Sequence, residues 1–121
     1  MPPDGSASGA IDGKIINELK AIGGKGALFN RVLTLFVENA PLSLADIERF
    51  AAQQDNRGLA DAVHALKSMC SSLGARRAGE ICEQVEVLAR SGQTFHAGEM
   101  VRLVVHETKA ALLEADKLRA A

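Results

Sequence analysis

One histidine in this chain keeps chemically useful company. His64 opens the run His64-Ala65-Leu66-Lys67-Ser68-Met69-Cys70-Ser71-Ser72-Leu73-Gly74-Ala75. At a helical period of about 100° per residue, Leu59, Val63, Leu66, Cys70 and Leu73 fall on one apolar stripe, the pattern of a buried face. His64 then points away from that stripe, with Lys67 and Ser68 one turn on and Ser71 two turns on. An imidazole, an ammonium group and small hydroxyl residues make a surface that a partner's backbone can approach closely and that can hold an anion beside the ring. Imidazole is nucleophilic when neutral, and its reference pKa of about 6.5 leaves a usable neutral fraction at cell pH. The chemistry that fits is nucleophilic attack by a ring nitrogen, with Lys67 compensating charge on the group attacked.

His64-Ala65-Leu66-Lys67-Ser68 followed by Leu73-Gly74-Ala75 resembles the signature of histidine-containing phosphotransfer (HPt) domains, the four-helix carriers of multistep phosphorelays. The likeness extends to Ile81-Cys82-Glu83-Gln84-Val85-Glu86-Val87-Leu88-Ala89-Arg90, similar to the family's following helix, and to Phe36-Val37-Glu38-Asn39-Ala40-Pro41, similar to its preceding one. It covers most of the chain from Ile11 onward. It departs at Ser68, where glycine is commoner; serine is still small enough for docking.

The resemblance implies an all-α fold, an antiparallel four-helix bundle with a short N-terminal lid helix and the active histidine on an exposed helix face. It implies a phosphocarrier in two-component signalling: His64 takes a phosphoryl group from a receiver-domain aspartate and passes it to another, without autonomous kinase activity. Response-regulator receiver domains are the implied partners, and they bring the Mg²⁺, so no cofactor is expected here. Lys67 would neutralise phosphate oxygens, and Ser68 and Ser71 would leave room and donate hydrogen bonds. Arg76, Arg77 and Arg90 form a basic set near the same hairpin that would steer an acidic receiver surface. The helix carrying Glu86 and Arg90 lies alongside the His64 helix in the family, and some members orient the imidazole from it. A carboxylate at Glu86 would repel a phosphorylated ring lying close to it.

Composition narrows the alternatives. A chain of 121 residues holds one domain and no room for a second, ATP-binding one. With no Trp or Tyr and four Phe, the core has to be aliphatic, as in a helix bundle. A net charge of −1, without a basic arm or an aromatic stacking series, gives no reason to expect nucleic acid. Cys70 and Cys82 sit inside apolar helical patterns and not in CxxC pairs, which argues against a disulfide framework or a metal site and for reduced thiols in the cytoplasm. No apolar run reaches the roughly 18 to 20 residues of a membrane span, and the first residues lack a signal-peptide order. The expectation is a cytoplasmic monomer without direct membrane contact. Residues 1–10, rich in Pro, Gly and Ser, read as a flexible segment or linker ahead of a bundle domain over 11–121, and a linker also suits a C-terminal piece of a membrane-bound hybrid sensor histidine kinase.

Five elements must position the histidine. Ile11 to Ala21 reads as the lid helix, with Ile15, Ile16 and Leu19 inward and Gly23-Gly24 ending it. Ala27 to about Gln54 carries Leu28, Val32, Leu35, Phe36, Ala40, Leu44, Ile47 and Phe50 as its stripe, and the resemblance favours one long helix kinked at Pro41. Asp55-Asn56-Arg57-Gly58 reads as a polar turn before the His64 helix, which Gly74 stops. Ala75 to Arg90 follows as the antiparallel partner, with Ala78, Ile81, Cys82, Val85 and Leu88 inward; a last helix runs from Ala97 to Arg119, with Met100, Leu103, Val104, Ala111, Leu112 and Ala115 as its apolar positions. His96, in an expected loop, and His106, on the last helix, lack the companions of His64 and read as structural or surface residues. Two other functions fit the same residues less well: a non-catalytic module binding a signalling partner through this face, and a metal-binding bundle, disfavoured because no histidine recurs at helical spacing from His64.

Overall fold

In the computed structural model, residues 9–22, 24, 26–92 and 97–120 are described, Ala97 and Ala120 by their backbone alone. Most of the expected N-terminal linker, together with Gly23 and His96, lies outside them. Among the described residues the chain is all helical: α1 (Gly13–Ala21), α2 (Ala27–Ala52), α3 (Asn56–Leu73), α4 (Arg76–Arg90) and α5 (Ala97–Ala120). Helices α2 to α5 form the four-helix bundle, each packed on its neighbours in chain order, with α5 closing back onto α2. Helix α1 packs on α2 as a short lid.

Local chemistry sets each boundary. Asp55 caps α3, its carboxylate accepting the Gly58 N–H at 2.9 Å, so Asn56, Arg57 and Gly58 form the first turn of the helix and the turn before it is shorter than the sequence suggested. Gly58 is also where the Phe50 ring crosses: a Cβ there would stand 2.5 Å from the ring. Gly74 ends α3 in the left-handed conformation, φ 89°, and the N–H groups of Gly74 and Ala75 both bond the Cys70 carbonyl. Only Gly74 and Ala75 then separate α3 from α4, which forces the two helices into an antiparallel hairpin.

Helix α2 runs unbroken through Pro41. The proline removes one backbone donor, but it lies on the exposed side, while Phe36, Ala40, Leu44 and Ile47 continue the buried stripe past it. In the first half of α2 the buried residues are Phe29 and Leu33; Leu28 and Val32 are half-buried and Leu35 is 47% exposed, a correction to the expected stripe. Helix α5 differs likewise: Val101, Val104, Thr108, Ala111 and Ala115 face the core, and Leu103 is 44% exposed. The α3 stripe is fully buried as expected, and Leu66, Leu73, Val85, Phe36 and Ile47 fill the centre. Cys70 and Cys82 are free and buried; their contact with each other, and burial, push the Cys70 thiol well above its ordinary pKa.

The lid is latched at the α3–α4 corner. Asp12 caps α1 through the Lys14 N–H, donates its own N–H to the Gly74 carbonyl at 2.8 Å, and pairs with Arg76 at 2.7 Å. The Ile11 N–H donates to Glu114 of α5 at 2.6 Å. Arg76 places a positive charge at the positive end of the α4 dipole, and Asp12 offsets it.

Candidate functional site

The exposed face of the α3–α4 hairpin is built by two helical spacings meeting at a fixed register. On α3, Asp61, His64 and Lys67 follow one another at intervals of three; on α4, Glu83, Glu86 and Arg90 do so at three and four. Antiparallel packing sets the two rows opposite each other in reverse order. His64 Nδ1 lies 3.0 Å from Glu86 Oε2 and 3.2 Å from Oε1. Lys67 Nζ donates to Glu83 at 2.6 Å and to Glu86 Oε1 at 3.0 Å. Arg90 donates from Nε to Glu86 Oε2 at 3.1 Å and reaches Asp61 at 3.4 Å.

Glu86 is the hub. Its side chain is 12% exposed, against 55% for His64. Burial pushes its carboxyl pKa up, but the hydrogen bonds from Lys67, His64 and Arg90 outweigh burial and hold it at about 2. The same contacts raise the Lys67 pKa, chiefly through Glu83 and then Glu86, and raise that of Arg90 through Glu86. A carboxylate facing Nδ1 favours the tautomer that carries its proton there. Nε2, on the other edge of the ring, then has its lone pair available, on a side chain open to solvent.

The remaining candidates are distributed unevenly. Ser68 and Ser72 turn their hydroxyls into the helix, donating to the carbonyls of His64 and Ser68. Both also line a shallow apolar cleft of about 180 Å³ with Val32, Leu35, Phe36 and Met69, immediately beside the histidine face. Ser71 is exposed on the side of α3 that faces Gly79 of α4, where an added Cβ would stand 4.0 Å from the Ser71 hydroxyl. Arg90 belongs to the His64 cluster. Arg76 and Arg77 lie at the opposite end of α4, ten and nine residues from Glu86 and hence about 14 to 15 Å away along the helix; Arg76 is engaged by Asp12. The three arginines do not form one patch. His106 is exposed on α5. Among the described residues no group of three or more His, Cys, Asp or Glu is arranged to hold a metal ion, and no helix is long and apolar enough to cross a membrane.

Sequence reasoning left Glu83 and Asp61 out of the site and left the part played by Glu86 open. Their signal was present in the intervals of three and four on each helix, but it has meaning only once the register of α3 against α4 is known.

Comparison with known proteins bears on the fold and the family. A 54-residue stretch is 43% identical to Sensor protein TorS of Escherichia coli (strain K12), covering 45% of this chain and 6% of that protein, so the chain corresponds to only a small part of that relative's length. The fold matches the crystal structure of histidine-containing phosphotransfer protein B (HptB) from Pseudomonas aeruginosa PAO1 with a TM-score of 0.84 at 19% identity, over 92% of this chain and 95% of that one. It matches histidine-containing phosphotransfer protein ZmHP2 from maize with a TM-score of 0.72 at 22% identity, over 93% and 88%. The family model for the Hpt domain matches residues 31–120, a span of 90 of the 121 residues that contains His64 and all of its partners, and the chain belongs to the Hpt domain family.

Proposed function

We propose that the chain is a phosphorelay carrier in two-component signalling, in which His64 Nε2 accepts a phosphoryl group from a receiver-domain aspartate and returns it to another. The observation that carries this reading is the pairing of His64 Nδ1 with Glu86 on a side chain more than half exposed. It leaves one nitrogen oriented and the other free to attack phosphorus in line. The N–P bond forms as the acyl phosphate P–O bond breaks, and the receiver's carboxylate departs with that electron pair. Return to a second receiver reverses the sequence, so the carrier ends as it began and needs no nucleotide site.

Lys67 would supply the charge compensation. It is held between Glu83 and Glu86 one turn from His64, and in this reading it turns part of its charge to the phosphoryl oxygens as they arrive. The apolar cleft beside Ser68 would take the shoulder of the docked receiver, with Leu35 contributing exposed apolar surface. The Mg²⁺ and acidic pocket would come from the receiver. The match to part of a sensor protein is compatible with a carrier that works tethered inside a larger sensor.

The test is to mix the chain with phosphorylated receivers and follow acid-labile, base-stable phosphate on wild type and on His64→Gln. Label on wild type alone is the expected result. Absence of label from wild type with a panel of receivers that still bind it would instead favour a non-catalytic interaction module.

A further inference from the structure

The partner of His64 Nδ1 is a carboxylate, fixed on both sides, and this bears on the loaded state as well as on the free one. We propose that Glu86 is a positioning residue that sets how readily phosphorylated His64 gives up its phosphoryl group, by holding the proton on Nδ1 of the phosphorylated ring. The inference rests on the carrier reading above and extends it to the lifetime of the carried group.

The argument follows the electrons. When the Nε2–P bond breaks, its pair returns to Nε2 while phosphorus bonds to a receiver carboxylate oxygen, or to water in hydrolysis. If Nδ1 carries a proton, the departing group is neutral imidazole. If Nδ1 is bare, the same cleavage expels imidazolate, a far poorer leaving group. A carboxylate 3.0 Å from Nδ1 favours the protonated ring, through both the hydrogen bond and opposite charge. Glu86 cannot readily turn away, because Lys67 and Arg90 hold its two oxygens. With its carboxyl held at about 2, it is charged at neutral and alkaline pH.

The surrounding charges do not cancel it. The groups around the ring are Glu86 itself, Lys67 and Asp61 on α3, and Glu83 and Arg90 on α4. From α2 the cleft beside Ser68 receives Val32, Leu35 and Phe36, and no charged side chain of α2 or α5 pairs with this cluster among the described residues. Repulsion between Glu86 and the phosphoryl oxygens is limited because the carboxylate faces Nδ1, across the ring from Nε2, with Lys67 on it.

Wild type and Glu86→Gln would be loaded with phosphoramidate, a small phosphodonor that requires no receiver. Phosphorus NMR identifies the nitrogen modified, and hydrolysis is followed from about pH 6 to pH 10. The expected result is phosphate on Nε2 in both, with the fall of the hydrolysis rate at alkaline pH beginning about one pH unit earlier in Glu86→Gln; near pH 9 the variant's phosphate would last about 10 times longer. Superimposable profiles, or a change of equal size at every pH as a general loosening of the fold would give, overturn the proposal and leave the carrier reading standing. Loading on Nδ1 likewise overturns the proposal. Failure of wild type to take phosphate on His64 at all overturns the carrier reading and this one with it.

Discussion

Glu86 pairs with His64 Nδ1, the ring that is the nucleophile of the proposed reading, and it anchors two cations, Lys67 and Arg90. A carboxylate this buried tolerates its charge because three donors converge on it. Its stability contribution has a definite pH window. An unfolded glutamate titrates near 4.5 and this one near 2, so the cluster's stabilisation is complete above about pH 4.5 and is lost as pH falls toward 2. Denaturant titrations of wild type and Glu86→Gln should therefore show a stability gap at pH 7 that closes by about pH 2; a gap that persists at pH 2 would assign the loss to packing and not to charge. His64 and Lys67 were legible in the sequence because they share one helix and one face. Glu83, Glu86 and Asp61 complete the cluster only through the α3–α4 register, which a single helix's periodicity cannot reveal.

Helix α3 was the most legible element, since Leu59, Val63, Leu66, Cys70 and Leu73 lie on one buried stripe, with Met69 beside it at the cleft. Helix α2 offers two adjacent apolar rows in its first half, Leu28-Val32-Leu35 and Phe29-Leu33-Phe36, and amphipathicity alone does not choose between them. Packing against α3 and α5 buries the second row and leaves Leu35 at the cleft. Helix α5 hid its inward face for another reason: one of its buried positions is Thr108, whose hydroxyl has no protein partner. Replacing Thr108 with valine keeps the shape and removes that unpaired group, so Thr108→Val should raise stability by about 1 kcal/mol in thermal or denaturant unfolding. The corner glycine predicts the opposite. At Gly74 the backbone is left-handed, and an added Cβ would stand 2.8 Å from the Cβ of Ile15 in the lid. Gly74→Ala should cost about 1 to 3 kcal/mol, with the lid's amide protons losing exchange protection before those of the bundle.

At the scale of the whole molecule, the bundle is a rigid mount for one exposed ring. His64 lies near the middle of α3, so fraying at either helix end leaves it in place, and the aliphatic core beneath it is continuous from Leu59 to Leu73. The lid latches the end of the molecule remote from the Glu86 cluster, so the contacts that hold it are separate from the face proposed to carry phosphate. In the proposed carrier reading, the direction of transfer would be set by the receivers the chain meets and their phosphorylation levels. The most direct measurement is therefore a two-receiver relay: a first receiver carrying labelled phosphate, a second unlabelled one, and this chain as the only link. The account predicts that label appears on His64 and then on the second receiver, with neither step in His64→Gln. Label that reaches the second receiver without passing through His64, or that never leaves the first while both receivers bind the chain, would contradict it.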